Sequence, residues 1–342
     1  MRIRALAPRS RVLAVVKANA YGHGLVDATR ALAAADGWGV ARLEEALALR
    51  AAAVTGPILL MEGVLEAQGL AEVARHDLQL VVHSEEQLAL LECAPPGQPL
   101  VVWLKIDTGM NRLGFRGSQL PRVRERLQGL GPRLAELRLM THFASADEPD
   151  QATTREQLAR FAALTGQQPN ARSLANSAAI FQYPQSHADW VRPGLALYGV
   201  SPFATRSGAE LGLVPAMRLF STVLAVREVK AGEAVGYGGA WRATRDSRIA
   251  TVAAGYADGL LRAVPDGTPV LINDLPAPLV GRVSMDMITV DVTPHPAVRA
   301  GDTVLLWGPE LPVEQLAARA GTIAYELLSA VAERVPRVMA WQ

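Results

Sequence analysis

The strongest constraint on this chain is a rhythm in its first two-thirds, where short apolar runs alternate with longer amphipathic stretches. The runs are "RVLAVVK" from residue 11, "GWGVAR" from 37, "PILLME" from 57, "LQLVVH" from 78, "PLVVWLKID" from 99, "LRLMTHF" from 137, "RSLAN" from 172 and "VRPGLALYG" from 191. Between them lie Ala-, Leu-, Glu- and Arg-rich segments such as "LEEALALRAAA" and "TREQLARFAALTG". Strands that are apolar throughout are buried on both faces, and amphipathic segments between them supply the covering helices. Eight strands in β–α order predict an α/β fold, a closed (β/α)8 barrel of TIM type. The count leaves one helix unaccounted for. Eight strands enclose seven helices, and only about ten residues precede the first strand.

From residue 213 the texture changes. "LFSTVLAVREV", "EAVGYGGAW", "SRIATVAAGY", "TPVLIND", "APLVGRVSMDMITVDV" and "DTVLLWG" read as strands separated by Gly, Pro and Asp turns. One helical patch, about 312–333, comes before "RVPRVMAW". The expected organisation is a barrel over 1–212 and a smaller, mainly β domain over 213–342, which suits a length of 342 residues.

Lys and Arg total 34 against 33 Asp and Glu, so there is no electrostatic case for nucleic acid or an anionic membrane as partner. The single cysteine, Cys93, excludes an internal disulfide, and with no Cys/His cluster no metal site is expected. "MRIRALAPRS" is basic, but the apolar stretch after it is short and is interrupted by Lys17. No run approaches the ~18 apolar residues of a membrane span. A cytoplasmic, reducing compartment is the expectation.

In a (β/α)8 barrel the active site lies at the carboxyl ends of the strands. Lys17, Lys105, Asp107, His142, Asn176, Ser177 and Arg192 all stand at or just beyond the end of an apolar run. Apolar walls lower the pKa of a lysine amine toward that of a nucleophile, so Lys17 at such a mouth is a Schiff-base candidate. A lysine capping a strand at the surface would read the same way.

The local words decide between these. "VVKANAYGHG", "WLKIDTGMNRLGF", "THFASAD", "NS", "WVRPGLALYG", "GYADG" and "GRVSMDMITVD" occur in the order seen in bacterial alanine racemases. The chain resembles that family over nearly its whole length, both domains included. The resemblance implies a homodimer that uses pyridoxal 5'-phosphate (PLP) to interconvert L- and D-alanine by a two-base mechanism. Its product would serve peptidoglycan synthesis.

On that resemblance Lys17 matches the lysine that carries PLP and moves the α-proton on the D-alanine side. Tyr21, Asn176, Ser177, the amides around Gly194 and Leu195, and Tyr325 match the cofactor-binding residues, most of them around its phosphate. Taken alone, Tyr325 on an amphipathic helix would read as core or rim. Arg192 matches the arginine that faces the pyridine nitrogen. An arginine can only donate there, so the ring stays a poorer electron sink, which favours return of the proton to Cα and hence racemisation. Taken alone, Arg192 would pair with the nearby Asp189.

The opposite face of the substrate needs a second base. Tyr256 matches it, and the family supplies it from the neighbouring subunit. His142 matches the histidine that links this tyrosine to the arginine; alone, it would read as a core histidine. Arg112 and the N–H of Met285, again from the partner, match the contacts to the substrate carboxylate. Lys105 matches a lysine that is carbamylated in many members, with a Lys105–Asp107 pair as the plain alternative.

Relatives usually begin with an extra strand and helix. The expectation here is a chain lacking that strand and most of that helix, with a sheet edge and a flank of the barrel exposed. A racemase of several amino acids would carry the same words. A non-catalytic PLP carrier would be a barrel alone, with no need of "GYADG" or "VSMDM". A Schiff-base lyase or aldolase would leave Arg192 and the phosphate residues without a purpose.

Overall fold

The structure is a computed structural model that describes residues 2–95, 97–166 and 168–340. The chain divides into two compact units, one of Met1–Ala20 with Gly24–Leu197 and one of Tyr21–His23 with Tyr198–Gln342. The expected barrel and the mainly β second unit are both present.

In the first unit eight strands close into a barrel in sequence order: β1 (Arg11–Val15), β2 (Gly37–Val40), β3 (Ile58–Leu60), β4 (Gln79–Val82), β5 (Leu100–Lys105), β6 (Leu134–Met140), β7 (Arg172–Asn176) and β8 (Trp190–Arg192). All pairs are parallel, and the barrel closes where Arg11 of β1 pairs with Trp190 of β8. The last apolar word contributes only its first residues to β8; from Leu195 the chain turns into 3-10 geometry. Helices follow the first seven strands, among them Leu43–Ala51, Glu85–Cys93 and Ala152–Thr165.

The helix missing from the sequence count is a single short turn, Arg2–Leu6, set beside the helix Ser177–Gln182 that follows β7. Ile3 and Ala7 are buried there. Arg4 donates to the Asp36 carboxylate, which in turn accepts the Val12 N–H of β1.

Leu13, Leu59, Val81, Trp103, Met140 and Trp190 form one buried cluster. The Trp103 and Trp190 rings meet edge to face at 5.7 Å, and the Arg138 guanidinium lies 5.1 Å from each ring centre. Trp103 donates its indole N–H to Gln79 Oε1 at 2.8 Å. These contacts let two tryptophans and a charge share a region buried on every side.

The second unit is built on a six-stranded antiparallel sheet of order β14–β13–β16–β9–β12–β15. Its strands are β9 (Leu219–Val229), β12 (Ser247–Val252), β13 (Pro269–Ile272), β14 (Leu275–Pro278), β15 (Ile288–Asp291) and β16 (Thr303–Trp307). A separate ribbon pairs β10 (Ala234–Val235) with β11 (Trp241–Arg242). The word "APLVGRVSMDMITVDV" is two strand segments around a loop, and its "SMDM" closes a tight turn in which Ser284 N–H donates to Met287 O. The helical patch resolves into Val313–Ala320 and Ala324–Ser329. Residues 334–340 form no strand, and Trp341 lies outside the described residues. Among the described residues no helix is long and apolar enough to cross a membrane.

Trp103 is fully buried and holds the centre of the barrel cluster. Trp103→Ala is expected to cost about 3–5 kcal/mol, read from the urea unfolding midpoint of the barrel.

Candidate active site

Five strands of the one barrel deliver charged or polar groups to their carboxyl ends. β1 leads to Lys17, β5 ends on Lys105, β6 leads to His142, β7 leads to Asn176 and Ser177, and β8 ends on Arg192. The sequence-based expectation for these residues is matched in placement.

Arg192 is 2 % exposed and its guanidinium is held on several sides. Nη1 donates to Ser173 Oγ at 2.7 Å, and Nη2 to the carbonyls of Thr141 at 2.6 Å and Leu174 at 3.1 Å. Ser173 can accept because its own proton goes to Trp190 O at 2.9 Å. Among the described residues no carboxylate is involved. Asp189, the alternative partner, accepts instead the backbone N–H of Arg172 at 2.7 Å. Burial pushes the guanidinium down to about 10, which keeps it charged at neutral pH. Its Nε is buried and has no acceptor among the described residues.

His142 Nδ1 lies 3.3 Å from Arg192 Nη2. Because a guanidinium only donates, Nδ1 must be the acceptor, so the ring proton of neutral His142 sits on Nε2. Burial first, then the charges of Arg192, Lys105, Arg112 and Lys17, hold the imidazole well below its ordinary range. His142 is therefore neutral around pH 7 and presents an Nε2–H.

Lys105 is 8 % exposed and no ion pair to it forms among the described residues. Asp107 does not answer it: Oδ1 accepts the N–H groups of Gly109 at 3.0 Å and Asn111 at 3.1 Å. Those bonds fold 107–115 back on β5, where Phe115 N–H meets Lys105 O. Gly114 turns the chain at φ +121°, and a Cβ there would fall 2.8 Å from the Asp107 amide nitrogen. Arg112 rides on this closed loop. Burial, then Arg192, Arg112 and Lys17, push the Lys105 amine down to about 8, with Glu62 opposing.

The chain after Lys17 does something the sequence did not announce. Ala18, Asn19, Ala20 and Tyr21 have φ of 53°, 53°, 54° and 52°, a left-handed turn built without glycine. Each such residue costs about 1–2 kcal/mol relative to right-handed backbone. Ala20 N–H closes the turn on Val16 O at 2.8 Å, and Asn19 Oδ1 accepts the Leu25 N–H at 2.8 Å. The Ala18 N–H goes to Glu45 Oε1 at 2.7 Å, while Glu45 Oε2 takes the Ala41 and Arg42 N–H groups at 2.9 and 3.1 Å. Glu45, at the third position of the helix Leu43–Ala51, escaped sequence reasoning; its only signal was an acidic residue in a first helical turn.

Ser177 is buried and its Oγ accepts the N–H groups of Gly194 at 2.9 Å and Ala196 at 3.3 Å. With both lone pairs used, its own proton is the group left to donate. Asn176 Oδ1 caps the helix that starts at Ser177 by accepting the Ala179 N–H at 3.0 Å. Leu195 opens the 3-10 turn beside them.

The remaining sequence-singled residues belong to the second unit. Tyr21 packs its ring 5.0 Å from Tyr198 and 5.8 Å from Tyr325. Burial, and for Tyr21 the neighbouring Tyr325, raises the Tyr21 phenol, so it stays protonated and can donate. Tyr256 is 41 % exposed at the start of a 3-10 turn. Its N–H donates to Ser284 O at 2.9 Å and Ala257 N–H to Met285 O at 3.0 Å, which ties its turn to the "SMDM" turn. The Met285 N–H has no acceptor among the described residues. Arg334 adds ion pairs to Asp258 at 2.8 Å and Asp286 at 2.7 Å, one on each turn.

The geometry agrees with the comparisons. Residues 1–202 match the N-terminal domain of alanine racemase and residues 216–339 its C-terminal domain. The chain belongs to the alanine racemase family. It is 53 % identical over 341 residues to the alanine racemase of Shewanella amazonensis, an alignment covering 98 % of this chain and 93 % of that one. The biosynthetic alanine racemase of Pseudomonas aeruginosa superposes with a TM-score of 0.96 at 48 % identity, covering 99 % of this chain and 95 % of the other. The Acinetobacter baumannii alanine racemase gives 0.90 at 39 %, covering 97 % and 93 %.

The residues fit the PLP expected for this family. The unanswered, buried Nε–H of Arg192 suits an acceptor that cannot donate, as a pyridine nitrogen is. The Ser177 hydroxyl is arranged to give its proton to an anion, as a phosphate is.

Neutral His142 is expected to keep its Nε2–H form as the pH is lowered through 6.5, where an ordinary histidine is half protonated. Histidine nitrogen NMR on the intact enzyme checks this; half-protonation near pH 6.5 would contradict the geometry.

Proposed function

We propose that this chain is an alanine racemase that binds PLP through Lys17 and works as a homodimer with shared sites. The observation that carries the reading is the buried, carboxylate-free Arg192 with its unanswered Nε–H and its bond to His142. PLP, when bound, withdraws electrons from the substrate and so acidifies its Cα–H. Arg192 donates to the ring nitrogen, and since it does not give up its proton it limits that withdrawal, which favours return of a proton to Cα.

Lys17 takes and returns the α-proton on the D-alanine side. Tyr256 of the partner subunit does so on the L-alanine side. A phenol has an ordinary pKa near 10 and needs support to serve as a base near neutrality. His142 supplies it by donating its Nε2–H to the phenolate oxygen. Arg112 and the Met285 N–H of the partner subunit hold the substrate carboxylate. Ser177, Tyr21, Tyr325 and the amides at Gly194 and Leu195 hold the phosphate, with Asn176 fixing the helix start beside them.

Lys105 is fitted to carry a carbamate. An amine brought down to about 8 is still mostly protonated near neutral pH, but its neutral, nucleophilic fraction is far larger than that of an ordinary lysine. Its nitrogen attacks carbon dioxide, an N–C bond forms and a proton is released, leaving an anion that pairs with Arg112. Enzyme held in 13C-bicarbonate is expected to show a carbamate carbon that grows as the pH rises through about 8 and is absent in Lys105→Ala.

The composite site has a direct test. Lys17→Ala and Tyr256→Phe are each expected to abolish most racemisation of L-alanine with added PLP. Mixed one to one and allowed to exchange subunits, they should recover about a quarter of wild-type activity, because half the dimers then hold one intact site. Recovery fails if both groups act within one protomer. A panel of other amino acids in the same assay reads the strictness for alanine.

A further inference from the structure

The left-handed turn that follows Lys17 begins at Ala18, and its first N–H is taken by the Glu45 carboxylate. We infer that Glu45 is a positioning residue for Lys17, holding the strained turn that aims the lysine amine; this rests on the role assigned to Lys17 above. Two loops meet on this one carboxylate. Oε1 answers the turn after β1, and Oε2 answers Ala41 and Arg42 in the loop after β2. All three partners are donors, so the site calls for two acceptor oxygens. An amide in place of the carboxylate keeps one acceptor and turns an NH2 group toward N–H groups, while aspartate is one methylene short of spanning both loops.

The backbone bonds of the turn, Ala20 N–H to Val16 O at 2.8 Å and Gly24 N–H to Asn19 O at 3.0 Å, do not involve the Ala18 N–H, which goes to Glu45. Ala18 and Ala20 carry no side chain able to bond, and Asn19 spends its Oδ1 on Leu25 further along the chain. A non-glycine residue remains left-handed only where its surroundings over-determine it. At Ala18 the surrounding group is Glu45. Loss of that bond frees Ala18 to relax toward right-handed backbone, and the residue bonded to it is Lys17.

Two variants separate aiming from simple helix capping. In Glu45→Gln the attachment of PLP to Lys17 is expected to slow about ten-fold or more, the effect of losing a hydrogen bond to a charged group. The rate is read by quenching with borohydride at timed intervals and mapping the labelled peptide by mass spectrometry. kcat for alanine should fall with KM nearly unchanged. Adding Ala18→Gly should restore most of the labelling rate, since glycine occupies left-handed backbone without strain. A lost cap on the helix Leu43–Ala51 would not be relieved by a glycine at 18.

Equal labelling in Glu45→Gln and wild type, or a defect that Ala18→Gly leaves in place, overturns the inference. If wild type itself takes no label on Lys17, the assignment of that lysine fails instead. Should Glu45→Gln not fold, Ala18→Gly in the wild-type background still decides. With Glu45 present its labelling rate should equal wild type, and hydrogen exchange at residues 18–21 should be unchanged. Faster exchange there would show that Glu45 does not hold the turn.

Discussion

Arg192 carries its charge in a part of the barrel where almost no solvent reaches, and among the described residues no carboxylate pairs with it. Such a charge persists only if its N–H groups are answered, and carbonyls of Thr141 and Leu174 with the Ser173 hydroxyl do most of that. The consequences spread to the neighbours. After burial itself, Arg192 is the strongest influence lowering both the Lys105 amine and the His142 imidazole. This cation thus adds to the effect of burial on two other groups, and it fixes which nitrogen of His142 holds the proton.

Much of this was legible from residues alone. Runs such as "LQLVVH" and "RSLAN" gave strands almost residue for residue, because a strand buried on both faces tolerates few polar interruptions. The ends of those runs placed Lys17, Lys105, His142 and Arg192 at one mouth. Two things were less visible. "SMDM" sits in an apolar word and reads as strand, yet Ser284 closes a turn through bonds to Met287 that depend on three-dimensional approach. Arg192 looked ready to pair with Asp189, three residues away, but strand neighbours point to opposite faces and Asp189 turns to Arg172.

The left-handed turn at Ala18–Tyr21 was hidden for a different reason. Alanine favours right-handed helix, and of these four residues only asparagine visits left-handed backbone with any ease. Local preference and observed backbone disagree there. Such a conflict survives where surrounding contacts repay it, and those contacts come from a residue 27 positions on. No pattern within a short window contains that information.

In the second unit Gly255 stands where a Cβ would fall 2.2 Å from Met285 O and 2.3 Å from Ser284 O. The turn bearing Tyr256 and the turn bearing Met285 are therefore stacked backbone on backbone, with no side chain between them to act as a cushion. Two backbone hydrogen bonds and the two ion pairs of Arg334 join them into one block. On the proposed reading, the group that handles the proton and the amide that grips the carboxylate share that block. If those roles hold, a mutation that opened the pocket to a bulkier amino acid by shifting one turn would shift the other, and substrate range would be tied to proton transfer.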